Sequence, residues 1–240
     1  MTASVHAVLV DLDDTLYPQA EFLDAAWRAV AECGVEFDLD RTALLAELRR
    51  AAADGSDRGG IIDRALASIG ASELPVAAFL TAFRSACPAR LTPYPGVYEA
   101  LVELRRRAPV ALISDGEVPG QQRKLAALGL ADVFDLVVFS DRWGREFRKP
   151  HPRPFQAALR RLAIPAELAV MIGDRPDKDV AGAVAADVRA IRVRTGEYSA
   201  SPDHPATWLC VDTFVDAVTS VLPHLAAVRP AGSQSSMRPL

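Results

Sequence analysis

Asp11 and Asp13 stand one residue apart in Asp11-Leu12-Asp13-Asp14-Thr15-Leu16, directly after the apolar run Val8-Leu9-Val10. The run reads as a buried strand, so both acids sit where that strand ends. In an open α/β sheet, ligands bind outside the carboxyl ends of the strands. Alternate side chains of an extended chain share a face, which would aim both carboxylates into one pocket. Two carboxylates held close repel each other, and a bound cation offsets the repulsion. Acids after strands also serve as turn formers and helix caps, and these six residues alone leave both readings open.

Other residues with chemical potential fall after other apolar runs. Ser114-Asp115-Gly116 follows Leu112-Ile113 and offers a hydroxyl, a glycine and backbone N–H groups that suit an oxyanion. The same tripeptide is also an ordinary turn. Lys149 lies in Arg148-Lys149-Pro150-His151-Pro152-Arg153-Pro154, where three prolines restrict the backbone and could fix an ammonium. Gly173-Asp174-Arg175-Pro176-Asp177-Lys178-Asp179 follows a further run, and Asp174 and Asp179 are hard oxygen donors of the kind Mg²⁺ prefers. Acids at a helix start also favour the dipole.

The elements that would position these residues follow from periodicity. Apolar, β-branched runs at residues 5–10, 110–113, 136–139, 169–172 and 188–193 read as strands, with a sixth at 207–211. Helical patterns at 96–107, 119–128, 154–162 and 177–186 alternate with them. That alternation predicts an α/β fold with a doubly wound, Rossmann-like parallel sheet. Residues 18–92 break the rhythm and read as four helices, at 20–32, 40–53, 60–69 and 74–86. The expected organisation is a core of residues 1–17 and 93–228, a helical insertion at 18–92, and a Pro-, Ser- and Gly-rich tail from 229 that is disordered.

The chain has 240 residues, a net charge of −4 and a pI near 5.6, so no electrostatic footprint for nucleic acid is present. No apolar stretch is long enough for a membrane span, and an early first strand leaves no room for a signal peptide. Cys33, Cys87 and Cys210 are few, odd in number and far apart, which fits a reducing compartment and predicts a cytoplasmic protein, a monomer or homodimer. Arginine occurs 24 times, asparagine never, and lysine only at 124, 149 and 178, so a lysine at a telling position is a specific choice.

Together, D-L-D-D-T, Ser114, Lys149 and G-D-R-P-D-K-D resemble the four motifs of the haloacid dehalogenase-like hydrolase superfamily, over about residues 5–195. The helical insertion after the first motif is similar to that family's type-1 cap. The resemblance implies a phosphatase acting on a small phosphomonoester. Asp11 would be the nucleophile and form an aspartyl phosphate. Asp13 would protonate the leaving oxygen and then activate water. Mg²⁺ would be held by Asp11, the backbone carbonyl of Asp13 and Asp174, with Asp179 at the metal or just behind it. Ser114 and Lys149, with Asp115 and Gly116, would hold the phosphoryl group. Four acids give −4, against +3 from Mg²⁺ and Lys149, and a protonated Asp13 would balance the set.

Asp115 and Lys178 stand where the family often has asparagine, in keeping with a chain that lacks it. Dehalogenases of the family do not need the second acid, so Asp13 argues against that branch. A phosphomutase, or a phospho-acceptor or binding protein without turnover, are the alternatives. Tyr17, Trp27, Arg28, Arg58 and Arg64 are the candidates for contacts to the far end of the substrate.

Overall fold

The computed structural model describes residues 4–86 and 88–225. Cys87 and the tail expected to be disordered lie outside the described residues. The chain folds as two compact units, one made of residues up to Gln19 and from Arg90 onward, the other of Ala20–Ala89.

Among the described residues of the first unit, six strands form one parallel sheet: β1 (Ala7–Val10), β2 (Val110–Ser114), β3 (Leu136–Phe139), β4 (Ala169–Gly173), β5 (Arg189–Val193) and β6 (Leu209–Val211). Their order is β3-β2-β1-β4-β5-β6, every pair parallel. β1 to β4 are buried along their whole length, as expected of strands covered on both faces. The helices of this unit are α5 (Val97–Arg107), α6 (Val118–Leu128), α7 (Arg153–Leu162), α8 (Ala181–Ala185) and α9 (Phe214–Val221), the four of the second unit being α1–α4. The fold is α/β, doubly wound and Rossmann-like.

Packing fixes the sheet firmly. Phe155 and Ala158 of α7 and Ala183 of α8 close over Leu9, Ile113, Met171 and Ala190, all buried. Gly182 lets the ring of Phe155 approach; a Cβ there would lie 2.6 Å from Phe155 Cε2 and 3.0 Å from the Pro150 backbone. α7 starts on Pro154 in its first turn and ends on Arg160 and Arg161, both placements favourable for a helix.

Strand order determines where a ligand can go. β1 lies between β2 and β4, so the chain crosses to one side of β1 and later to the other. That reversal leaves a crevice at the carboxyl edge. Register puts Val10 beside both Leu112 and Ile172. Asp11, Ser114 and Asp174 therefore emerge at nearly one level.

The second unit is helical: α1 (Gln19–Val35), α2 (Arg41–Ala52), α3 (Ile61–Ser68) and α4 (Val76–Ser85). Asp40 caps α2 by accepting from the Ala43 N–H at 2.7 Å. Trp27, Val30, Leu44, Leu48, Ile62, Leu66 and Phe79 form its own core. Trp27 stacks on Phe83 with ring centroids 4.7 Å apart, and Phe37 on Phe79 at 5.2 Å.

Three elements differ from the sequence expectation. The ladder of β1 starts at Ala7, and Val5 makes only an isolated bridge to Leu225. The helix expected over 177–186 is split into a π-turn, Pro176–Val180, followed by α8. The periodicity read above does not mark α9; it is short, though Phe214, Ala217, Val218 and Val221 share its buried face. No helix among the described residues is long and apolar enough to cross a membrane.

Candidate active site

The turn after β1 is built around an unusual backbone. Asp14 adopts φ +59°, a left-handed conformation that aspartate tolerates better than most residues. Its side chain accepts from the N–H groups of Gln19 at 2.8 Å and Glu197 at 3.2 Å, and Thr195 Oγ1 donates to its carbonyl at 2.5 Å. Asp14 therefore ties the first-strand loop to the loop after β5. Asp11 stays at the strand end, where its N–H donates to the Ile172 carbonyl at 3.0 Å.

Asp11 and Asp13 do not share one set of partners. Lys149 Nζ donates to Asp11 Oδ1, to Asp179 Oδ1 at 2.6 Å and to the Ile113 carbonyl at 3.2 Å, so all three ammonium donors are engaged. Thr15 Oγ1 lies 3.0 Å from Asp11 Oδ2 and 3.4 Å from Asp174 Oδ1, and accepts from the Asp174 N–H at 3.1 Å. Asp179 Oδ2 accepts from the Arg175 N–H at 3.0 Å. Both carboxylate oxygens of Asp179 are thus directed inward, and the π-turn accommodates them: the Asp179 and Val180 N–H groups both converge on the Arg175 carbonyl. Such single wide turns recur at functional sites. Gly173 is required here for space, since a Cβ would strike the Asp179 side chain.

Asp11, Asp174 and Asp179 are all buried and each offers an oxygen within 4.8 Å of the others. With all three ionised, they and Lys149 would carry a net −2. Burial, and then the Asp179 charge, push the Asp11 carboxyl up to about 7; Lys149 only partly opposes this. Burial and the Asp179 and Asp11 charges push Asp174 up as well. A cluster of hard oxygens that is short of two positive charges fits a divalent cation.

Asp13 has a separate cradle. Oδ1 accepts from the Tyr17 hydroxyl at 2.5 Å and Lys124 Nζ at 2.7 Å, and Oδ2 accepts from Gln121 Nε2 at 2.9 Å. Burial would raise the Asp13 carboxyl, but the Lys124 charge and these three donors outweigh it and hold it below its ordinary value. Lys124 is thus a positive charge beside Asp13 that the charge count above did not include.

Ser114 is fully buried, and its Oγ accepts from Gln121 Nε2 at 2.5 Å. Asp115 and Gly116 are engaged elsewhere. Asp115 Oδ1 accepts from the Ser140 hydroxyl at 2.6 Å and the Lys149 N–H at 3.1 Å, so this carboxylate clasps the loops after β3. The Gly116 N–H, expected to be free for an oxyanion, donates to Asp141 Oδ1 at 3.1 Å. Arg148 holds that same carboxylate through two bonds of 2.6 Å.

Of the candidates for substrate contact, Tyr17 is buried and directed at Asp13. Trp27 is core of the helical unit, Arg28 pairs with Asp24, Arg64 donates to the Gly59 and Ala51 carbonyls, and Arg58 is exposed. The sequence places Thr15 in the first motif without a role, and sequence reasoning missed Gln121 and Lys124. The rarity of lysine was the available signal for Lys124, and Gln121 lies one helical turn before it. It also missed Arg192, fully buried on β5, which donates to the Ser201 and Tyr198 carbonyls at 2.7 Å and pairs with Asp203.

The model of the haloacid dehalogenase-like hydrolases matches residues 5–187. The chain belongs to that family. Glyceraldehyde 3-phosphate phosphatase of Methanopyrus kandleri is 39% identical over 202 residues, 81% of this chain and 86% of that protein. Phosphoserine phosphatase of Thermus thermophilus is 43% identical over 115 residues, 46% of this chain and 45% of that protein. Among solved structures, the Bacillus subtilis HAD-hydrolase YfnB superposes with a TM-score of 0.65 at 17% identity, covering 91% of this chain and 99% of that one, a likeness of fold.

Proposed function

We propose that this haloacid dehalogenase-like hydrolase is a Mg²⁺-dependent phosphatase that cleaves a small phosphorylated metabolite through an aspartyl phosphate on Asp11. The observation that carries the reading is the convergence of Asp11, Lys149, Asp174 and Asp179 at the carboxyl edge of β1 and β4. The names of the two relatives support phosphomonoester hydrolysis and make glyceraldehyde 3-phosphate the first compound to assay.

The Asp11 carboxylate attacks phosphorus, and the bond to the leaving oxygen breaks as the new one forms. Lys149 keeps Asp11 oriented and, with Ser114, holds the transferring group. Asp13 gives its proton to the leaving oxygen; a phosphate dianion beside it favours the protonated form needed. Once the leaving group departs, Asp13 takes a proton from the water that attacks the acyl phosphate, and Asp11 is regenerated. Mg²⁺ would be held by Asp11, Asp174 and Asp179 with the Asp13 carbonyl, and when bound supplies neutralisation of the phosphoryl charge. The helical unit, inserted in sequence just after Asp13, would set specificity as a cap. A cytoplasmic location is part of the same proposal and rests on the free thiols of Cys33 and Cys210.

Incubation with an aryl phosphate, with Mg²⁺ and after exhaustive chelation, tests this reading. Mg²⁺-dependent, multiple-turnover release of the phenol is expected. Release of one equivalent and no more would favour a phospho-acceptor without turnover.

A further inference from the structure

We infer that Lys124, together with Tyr17 and Gln121, is a positioning residue that aims the Asp13 carboxylate at the leaving oxygen and, later, at the attacking water. The inference rests on the phosphatase reading above and adds to it a device that none of the four sequence motifs contains.

The geometry is specific. An aspartate side chain has two rotatable bonds, and an unrestrained carboxylate two residues from the nucleophile could turn toward the cation cluster. Here three donors from two elements fix it. Tyr17 comes from the end of the first-strand loop, where Asp13 and Tyr17 form an isolated backbone bridge. Gln121 and Lys124 come from one face of α6, three residues apart, as neighbours on a helix surface must be. Lys124 is 5% exposed and Gln121 3% exposed, although both residue types are ordinarily solvated. Burying an ammonium requires a charged partner, and Asp13 is the carboxylate that Lys124 pairs with at 2.7 Å.

Oδ1 of Asp13 has both lone pairs taken, by Tyr17 and Lys124. Oδ2 accepts one bond, from Gln121, and so keeps a second lone-pair site. The Asp13 side chain remains 18% exposed while that of Lys124 is 6% exposed. The clamp therefore leaves a lone-pair site on Oδ2 for proton transfer. Gln121 also bonds Ser114 Oγ and the Asp115 carbonyl at 2.8 Å, which ties the clamp to the residues proposed to hold the phosphoryl group.

A misaimed Asp13 should harm only steps that move a proton. Expulsion of a nitrophenolate needs no acid, whereas expulsion of an alkoxide does; hydrolysis of the acyl phosphate needs the base for either ester. The experiment compares Lys124→Met, Lys124→Arg and the unaltered protein on an alkyl phosphomonoester and on p-nitrophenyl phosphate, with circular dichroism and a thermal midpoint for each. Lys124→Met should lose about tenfold or more in kcat/KM for the alkyl ester and less than about threefold for the aryl ester. The aryl ester should show a burst of one nitrophenol per enzyme before a slow steady state. Lys124→Arg should recover part of the alkyl activity. Equal fractional losses on both esters, without a burst, would overturn the inference and make Lys124 a phosphate ligand or a structural pair. Should Lys124→Met fail to fold, Tyr17→Phe removes only a hydroxyl and must show the same contrast between esters, or the inference fails. If the unaltered protein turns over neither ester, the phosphatase reading itself falls.

Discussion

Replacing Lys149 with methionine isolates the electrostatic contribution of one buried charge. Methionine nearly matches the length of the lysine stem, so little cavity is left and the loss is mainly of charge and hydrogen bonds. The lysine side chain is 3% exposed and bonds two carboxylates and a carbonyl. Removing one partner of a buried ion pair costs about 3–5 kcal/mol, because the remaining charge is left uncompensated. Here two partners are left, with Asp174 close by, so the upper part of that range is expected for the metal-free protein at pH 8. The loss must depend on pH. Asp11 is pushed up to about 7, chiefly by burial and then by Asp179, and Asp174 is raised by burial and the same neighbour. A carboxyl raised in the folded state contributes stability that is full below its unfolded value near 3.8 and is lost as pH rises through about 7. Without the lysine charge both groups rise further. The variant therefore regains protons at acid pH, and its deficit should shrink to about half by pH 5. Urea unfolding in chelator at pH 5 and pH 8, with amide exchange of β1 and β4 to follow the core unit alone, reads this directly. Mg²⁺ at pH 8 should return part of the loss. A deficit below about 1 kcal/mol at pH 8, or an equal deficit at both pH values, would refute the electrostatic account.

Other perturbations give separate tests. Asp174→Asn should weaken Mg²⁺ binding by at least about tenfold in calorimetry while leaving the metal-free midpoint equal or higher, since a repelling buried carboxyl is gone. Ca²⁺ should inhibit in competition with Mg²⁺, because its larger size and looser geometry disturb the Asp11 oxygens; full activity with Ca²⁺ alone would contradict this. Phe155→Ala should cost about 3–5 kcal/mol by thermal unfolding, as the ring is fully buried against the sheet. Replacing residues 20–89 with a short linker should reduce discrimination among phosphorylated metabolites far more than activity on an aryl phosphate. An equal fractional loss in kcat/KM would assign the helical unit to stability.

Much of the site was legible because parallel strands are uniform in composition and their ends are not. Val8-Leu9-Val10 and Val170-Met171-Ile172 are unbroken apolar runs, so the acids that follow them stand out. In the structure the register pairs Val10 with Ile172 and so leaves Asp11 one residue short of the level of Asp174. What stayed hidden depended on side-chain direction. Asp115 and Gly116 have types suited to an oxyanion, yet Ser140, the Lys149 backbone and Asp141 engage them, and those partners sit in short 3₁₀ turns and loops with no periodicity. Tyr17 reads as a contact to the far end of the substrate, whereas its hydroxyl donates to Asp13, beside which the isolated bridge places it. The π-turn at 176–180 looks like plain helix in sequence, because the inward pull on Asp179 comes from Lys149, thirty residues away.

The central claim is that Asp11 is the nucleophile, and rapid acid quench of the working enzyme tests it. During turnover of an aryl phosphate with Mg²⁺, a hydroxylamine-labile phosphoryl group should appear on the peptide that contains Asp11. Folded Asp11→Asn should carry no such group and should lose activity by about a thousandfold or more. A folded Asp11→Asn protein that kept a tenth of the original activity, or a phosphoryl group found on another peptide, would contradict the account.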